Sequence, residues 1–458
     1  MTLRLAFLLA VWALPALFTP ALADAQDIRS SEVVTPPAMA IPAPPALKAV
    51  APKGFTLGLG YGLSCAQAQP GGAMVLHSLT GRGPTLRGPS VAEAAGTAPS
   101  ALFVLPDYTP AVVTLILSGA RAEVTGVLPL AGEDGKPLRG LPPASRQPGA
   151  HVEIPLSLGL KPLAFDPTGM DPTGVVYDFK RGAYWIVDGY RPALARVSSG
   201  GGHVQALYVP GDGLEPYLGS KRPGGGFSGV SLSPTDKLYT IMRRPLAWEG
   251  KPGHFTRIVE FDPSSERVRQ MPYLLEEDYA DPESVTTGDP VAYADKRLLV
   301  LEQGLGKDGA PLVRVFSADL TRAHNIHTVR NEAGQPPEAV TDKAQWRALA
   351  INSARKTLVL DLKQAGFTGS WAESMTLLND GRTLLFMSGH GFGVEPQIAG
   401  FATGSDGKPV LDPAAYTLNP DGSLVCEGRP VKTAFTLKPT WEVPRIWLVT
   451  LPKKATDY

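Results

Sequence analysis

An excess of charge of either sign is missing from this chain. Lysine and arginine number 43 and aspartate and glutamate 43, so the formal net charge at pH 7 is zero. A balanced chain gives no support for a nucleic-acid partner or for a polybasic attachment to anionic lipid. Cysteine is nearly absent, with only Cys65 and Cys426, which excludes a disulfide-built scaffold and a cysteine-rich zinc module. Beyond the N-terminal leader no apolar run approaches the roughly 20 residues of a membrane span. There is no G-x-S-x-G elbow, which argues against an α/β serine hydrolase. The glycine runs Gly200-Gly201-Gly202 and Gly224-Gly225-Gly226 lack the following Lys-Ser/Thr of a phosphate-binding loop. Helical patterning is scarce too; only residues 342–365 suggest it, narrowing to Ala344–Ser353.

What is abundant is glycine and proline, 49 and 45 residues, set between short apolar runs. That pattern favours an all-β fold, in which a single unit of this length is a barrel or propeller. Residues 1–23 read as a signal peptide. Arg4 supplies the positive charge, Leu5–Phe18 the apolar stretch, and Ala21-Leu22-Ala23 the cleavage site. No cysteine follows that site, so the mature chain is expected to be a soluble bacterial protein, periplasmic or secreted, with no membrane span. Residues 24–53 are proline-rich and read as a semi-rigid tether, leaving 54–458 as the folded domain. In an oxidising compartment Cys65 and Cys426 are expected to pair, near the meeting ends of a ring-shaped fold. Two unpaired buried thiols are the alternative.

The stretch from Asp166 to Pro192 organises the reading. Gly174 to Tyr177 and Ala183 to Val187 are β-runs around the turn Asp178 to Gly182, and the hairpin ends in Asp188, Tyr190, Arg191 and Pro192. The plan returns at Gly229–Leu232 with Lys237–Met242, at Arg297–Leu301, and at Met375–Leu378 with Thr383–Met387. Recurrent hairpins joined to further strands predict a β-propeller, with six blades first and five or seven as alternatives. In such a ring, residues ending each second strand converge on one mouth. They are Arg82, Asp188 with Tyr190 and Arg191, Arg243 with Arg244, Glu302 and His390. Residues preceding each first strand, among them Asp171, Ser228, Glu283 and Glu373, converge there too. Arginine forks suit the paired oxygens of phosphate and carboxylate, and Asp and Glu oxygens suit Ca²⁺. Of the other histidines, only His324 and His327 lie close in sequence, with no third ligand nearby.

Several motifs in this order resemble the phytase-like family described as "esterase-like activity of phytase", over about Leu57 to Gly404. Gly81-Arg82-Gly83-Pro84 is similar to its D-R-G-P turn, Asp171-Pro172-Thr173-Gly174 to D-P-E-G, and Asp188-Gly189-Tyr190-Arg191-Pro192 to D-E-Y-G-P. Gly224 to Gly229 resembles N-R-G-F-E-G, Leu299 to Gln303 resembles L-V-L-E-R, and Glu373-Ser374 and Ser388 to Gly393 resemble the late E-G and S-D-N-D-F-G signatures. Gly81, Thr173, Gly189, Ser228 and Gly389 stand where the family carries acids. The resemblance implies an exported propeller that hydrolyses phosphate or carboxylate esters. Asp188, Glu302 and His390 would be its catalytic groups, and Asp171, Asp188, Glu302 and Glu373 a Ca²⁺ set or water activators. Arg82, Tyr190, Arg191, Arg243 and Arg244 would bind a small anionic substrate, and a monomer is expected. The loss of acids implies the alternative, a degenerate propeller that binds an anion or a protein without turnover.

Overall fold

A computed structural model of the chain describes residues 28–458 apart from 69–71, 95, 145–152, 282, 341, 390–391 and 441, so the leader and His390 lie outside the described residues. Alternating and continuous apolar β-runs fold into antiparallel sheets of four successive strands. The first sheet comprises Tyr61–Ala68, Met74–Leu79, Ala111–Ser118 and Arg121–Pro129. The second comprises Pro172–Asp178, Ala183–Asp188, Ala193–Ser198 and Val204–Pro210. The third runs through Phe227–Leu232, Leu238–Met242, Phe255–Phe261 and Val268–Leu274, and the fourth through Thr286–Ala294, Arg297–Leu305, Pro311–Asp319 and Arg355–Asp361. The fifth joins Ser374–Leu377, Thr383–Ser388 and Arg445–Thr450 to Ile28–Val34 from the other end of the chain.

The innermost strands touch in cyclic order, first to second and onward until the fifth returns to the first. Five apolar cores fill the five spaces between neighbouring sheets. Tyr184 and Val112 share one, Trp185 and Phe227 the next, and Ile241 and Val300 the third. Leu301 and Phe386 share the fourth, and Leu63 and Leu385 the fifth. Each such buried side chain contributes about 1.5–3 kcal/mol. Among the described residues five four-stranded units thus stand in a ring, the first and fifth continuous as one eight-stranded sheet and the second carrying Gly213–Leu214 at its edge; six blades stood first in expectation and five as an alternative. The hairpins at 74–79 and 111–118 belong to one sheet, and an insertion of other structure separates them in sequence.

Three further expectations change. Ile28–Val34 is not tether; it pairs antiparallel with Arg445–Thr450, and Val33 and Val34 pair in parallel with Ala122 and Glu123. Hydrogen bonds therefore close the ring. No disulfide joins Cys65 to Cys426: Cys65 is on the innermost strand of the first sheet, while Cys426 is buried in a separate core formed by the insertions. The helix spans only Lys343–Ala348, and Arg355–Asp361 is a strand.

Near the axis the inner strands approach backbone to backbone. A Cβ on Gly62 would lie 2.7 Å from the Gly174 Cα, and one on Gly174 2.4 Å from the Gly229 Cα. One on Gly229 would lie 1.9 Å from Asp289 Oδ1. Only glycine permits this approach. The ring is completed there by Asp289, a buried carboxyl that accepts the amide N–H groups of Leu63 and Met375 from two other sheets. Burial holds its pKa well above the usual carboxylate range.

Two insertions leave the ring at the same end, after the second strands of the first and fifth sheets. With residues before Tyr61 and around 154–157 they build a cap of small sheets, in which Ser90–Glu93 pairs with Tyr416–Leu418 and Ser100–Phe103 with Ile154–Ser157. Phe55, Leu102, Tyr416 and Phe435 share its core. A smaller cluster of Phe103, Leu141 and Tyr190 fastens it to the second sheet.

Candidate functional site

The starts of the inner strands and the ends of the second strands share the capped end of the axis. Asp188 ends the hairpin of the second sheet with no exposed surface. Its Oδ1 accepts the amide N–H of Asp171 at 3.0 Å and of Tyr190 at 2.9 Å, and its Oδ2 lies 3.4 Å from Arg191 Nε. Burial pushes its pKa up to about 7. Asp188 is therefore a strut that fixes the segments carrying Asp171 and Tyr190. The Arg191 guanidinium also meets the Pro167 carbonyl at 3.5 Å.

Tyr190 is buried, and its hydroxyl donates to the Gly140 carbonyl at 2.5 Å while accepting from Arg82 Nη1 at 3.3 Å. Arg82 lies over the Tyr190 ring, 5.3 Å from its centroid, and pairs with Glu153 Oε2 at 2.5 Å. Asp171 is half-buried beside this pair. Burial raises its pKa; Arg82, Arg243 and Lys221 act in the opposite direction, and Glu153 adds to the rise. Tyr61 lies in the same field, its phenol pushed up by burial and then by Glu373 and Asp171. Glu373 is exposed and adjoins Gly60 and Gly389.

The backbone places the basic side. Gly225 N–H bonds the Arg222 carbonyl at 2.9 Å, and Arg243 N–H bonds the Gly226 carbonyl at 2.8 Å, so the 222–226 turn lies against Arg243-Arg244. Burial lowers the Arg244 pKa, and the Arg243 and Arg222 guanidiniums lower it further. Burial likewise lowers that of Lys221, against Asp188, Glu153 and Asp171. Arg222 reaches Glu283 at 3.2 Å. Among the described residues, Arg243 and Lys221 make no side-chain ion pair or hydrogen bond.

The structure thus brings Arg82, Asp171, Asp188, Tyr190, Arg191, Arg243, Arg244 and Glu373 to one end of the ring. It does not bring Glu302 there. That carboxylate is wholly buried between the third and fourth sheets, accepting from Tyr273 Oη at 3.1 Å, Glu276 N–H at 3.0 Å and Lys356 Nζ at 2.9 Å. The four acids expected to hold Ca²⁺ are consequently not one donor set. Among the described residues no three His, Cys, Asp or Glu side chains gather as metal ligands, and cations surround Asp171. These residues do not fit a calcium ion.

Two positions where the resemblance expects acids carry hydroxyls with occupied donors. Thr173 Oγ1 donates to the Phe227 carbonyl at 2.7 Å, and Ser228 Oγ to the Ile241 carbonyl at 3.3 Å. A carboxylate could make neither bond. Sequence reasoning missed Lys221, Arg222, Glu153 and Tyr61. The basic pair directly before Pro223-Gly224 was a usable signal; Glu153, in an irregular glycine- and proline-rich stretch, gave none.

The α-L-arabinofuranosidase PaAbf62A from Podospora anserina is similar at 10% identity and a TM-score of 0.35, over 93% of this chain and 98% of that one. The catalytic domain of a GH62 α-L-arabinofuranosidase from Coprinopsis cinerea is similar at 9% identity and a TM-score of 0.34, over 92% and 97%. No curated protein matches the chain. The family model "Phytase-like: Esterase-like activity of phytase" matches residues 94–389, well over half of the chain, although the Arg82 turn precedes its range. By that match the chain belongs to the phytase-like family.

Proposed function

We propose that this is an exported hydrolase whose capped mouth takes the anionic end of a phosphate or carboxylate ester. The observation that carries the reading is Asp171, a half-buried acid facing Arg82, Arg243 and Lys221. An anionic oxygen seated on Arg243 would give that guanidinium the partner it lacks and would hold the ester beside Asp171. The Asp171 carboxylate would accept a proton from water as that water attacks the ester centre. It would then return the proton to the leaving oxygen, giving an acid and an alcohol. Burial raises the Asp171 pKa, the direction that helps a carboxylate hold the proton it takes before giving it up. Asp188 acts through the backbone, holding Asp171 in place.

The test is hydrolysis of p-nitrophenyl phosphate and p-nitrophenyl acetate. Asp171→Asn is expected to lower kcat about 10²–10⁴-fold with little change in melting temperature, and dialysis against EDTA to leave the rate unchanged. A rate that survives Asp171→Asn removes the acid–base role. N-terminal sequencing of material exported by a bacterial host checks the leader, with a start near Asp24 expected.

A second reading, binding without turnover, is favoured by the hydroxyls of Thr173 and Ser228, which stand where the family carries acids. Wild-type protein that is stabilised by phosphate or sulfate but hydrolyses neither ester would select it.

A further inference from the structure

A cavity of about 470 Å³ lies at the other end of the axis. Residues from all five inner strands line it, and Lys454, Ala455 and Thr456 of the C-terminal segment form one wall. The close approach of Gly62, Gly174, Gly229 and Asp289 separates it from the capped mouth. Ser64 lines this cavity at 7% exposure, and its Oγ has no hydrogen-bond partner among the described residues. A buried hydroxyl left in that state is costly, and a ligand that bonds it removes the cost.

Thr376 and Asn379 add a hydroxyl and an amide, and neither side chain is bonded to another described residue. Among the described residues Lys454 is the one cation that lines the cavity, no Asp or Glu lines it, and the Lys454 ammonium has no ion pair. Leu63, Val230 and Val291 supply apolar wall. From this lining we infer a second binding site, for a small hydroxylated monoanion of the sugar-acid class. The ammonium matches a carboxylate, the hydroxyls and amide match hydroxyl groups, and the apolar wall matches the carbon skeleton. The volume suits one small molecule.

Gluconate is the probe, with sorbitol as its uncharged counterpart and hexanoate as an anion without hydroxyls. In calorimetric titration of the full-length mature protein, gluconate is expected to bind at least 10-fold tighter than either. Lys454→Gln, at an exposed position, should weaken gluconate 10-fold or more. Ser64→Ala should weaken it several-fold, with the melting curve confirming the fold. Arg243→Gln at the mouth should leave it unchanged. Gluconate should also slow iodoacetamide labelling of half-buried Cys65, which lines the cavity, while Cys426 stays buried and unreactive in the native protein. Wild-type protein that shows neither gluconate heat nor Cys65 protection overturns the inference. So does affinity that survives Lys454→Gln or disappears with Arg243→Gln, since the latter places the anion at the mouth.

Discussion

The rim of the third sheet and the capped mouth both hold charge away from water, and they treat it in opposite ways. At the rim, Arg257 is fully buried and meets fully buried Glu338 through both forks, Nε to Oε1 at 2.6 Å and Nη2 to Oε2 at 2.7 Å. Its Nη1 donates to Gln270 Oε1 at 2.5 Å, and the Tyr217 ring lies 5.5 Å from its Cζ. Every fork of the guanidinium is occupied. At the mouth, Arg243 and Lys221 face a half-buried acid without an ion pair to either. Removing an ion from water costs several kcal/mol unless partners replace the solvent. A region that meets this requirement is holding the fold together, and one that leaves it unmet is prepared for a ligand.

The largest effect should come from breaking the matched region. Arg257→Met leaves Glu338 buried and unpaired and is expected to cost about 3–5 kcal/mol in urea unfolding. Adding Glu338→Leu should recover most of that loss, because the stranded charge goes with it. A single-variant loss below about 1 kcal/mol would erase the contrast.

Arg243→Gln tests the other side. It should change stability by no more than about 0.5 kcal/mol, since the guanidinium has no side-chain partner to lose among the described residues. Sulfate affinity and ester kcat/KM should fall roughly 10- to 100-fold, as for a charged contact of about 1.4–3 kcal/mol. A stability loss like that of the rim variant would make Arg243 structural.

Asp188 gives a pH-dependent test. Its folded pKa, about 7, lies above its ordinary 3.8, so between those values the folded protein holds the extra proton. Its contribution is therefore favourable at low pH and is lost as pH rises from about 4 to 7. Asp188→Asn keeps an oxygen for the Asp171 and Tyr190 amides and should flatten this part of the melting-temperature profile. An unchanged slope would show that other groups set it.

The same matching explains what could be read in the sequence. The hairpin of Pro172–Asp178 and Ala183–Asp188 was visible because its β-branched and aromatic runs flank a polar turn. The sheet count was not, because the first sheet is interrupted after Leu79 and the fifth takes its outermost strand from Ile28–Val34. Distant pairing leaves no local mark. Glu302 was expected to end its strand, which instead runs on to Leu305, and successive strand residues face opposite sides. Its side chain points to Lys356 rather than to the axis. Asp289 escaped notice because an acid inside an apolar inner strand looks like an interruption. Its partners are amide groups from sheets that begin far away in the chain.

The smallest effect separates matching from burial. Arg181 and Lys180 converge on Asp236, linking the second and third sheets, with contacts of 2.7 Å from Arg181 Nη1 and 2.6 Å from Lys180 Nζ. The geometry is as close as at Arg257, yet the Lys180 side chain is 67% exposed. Arg181 and then Lys180 lower the Asp236 pKa to about 2, so its pairing is present above the ordinary carboxylate range and is lost as pH falls toward 2. Lys180→Ala should cost about 0.2–1 kcal/mol, less in high salt. Because the contact distances match those at the rim, the difference in loss measures what desolvation adds. A loss equal to that of Arg257→Met would mean that contact geometry, not burial, sets the strength of these ties, and unpaired Arg243 would no longer mark a ligand site.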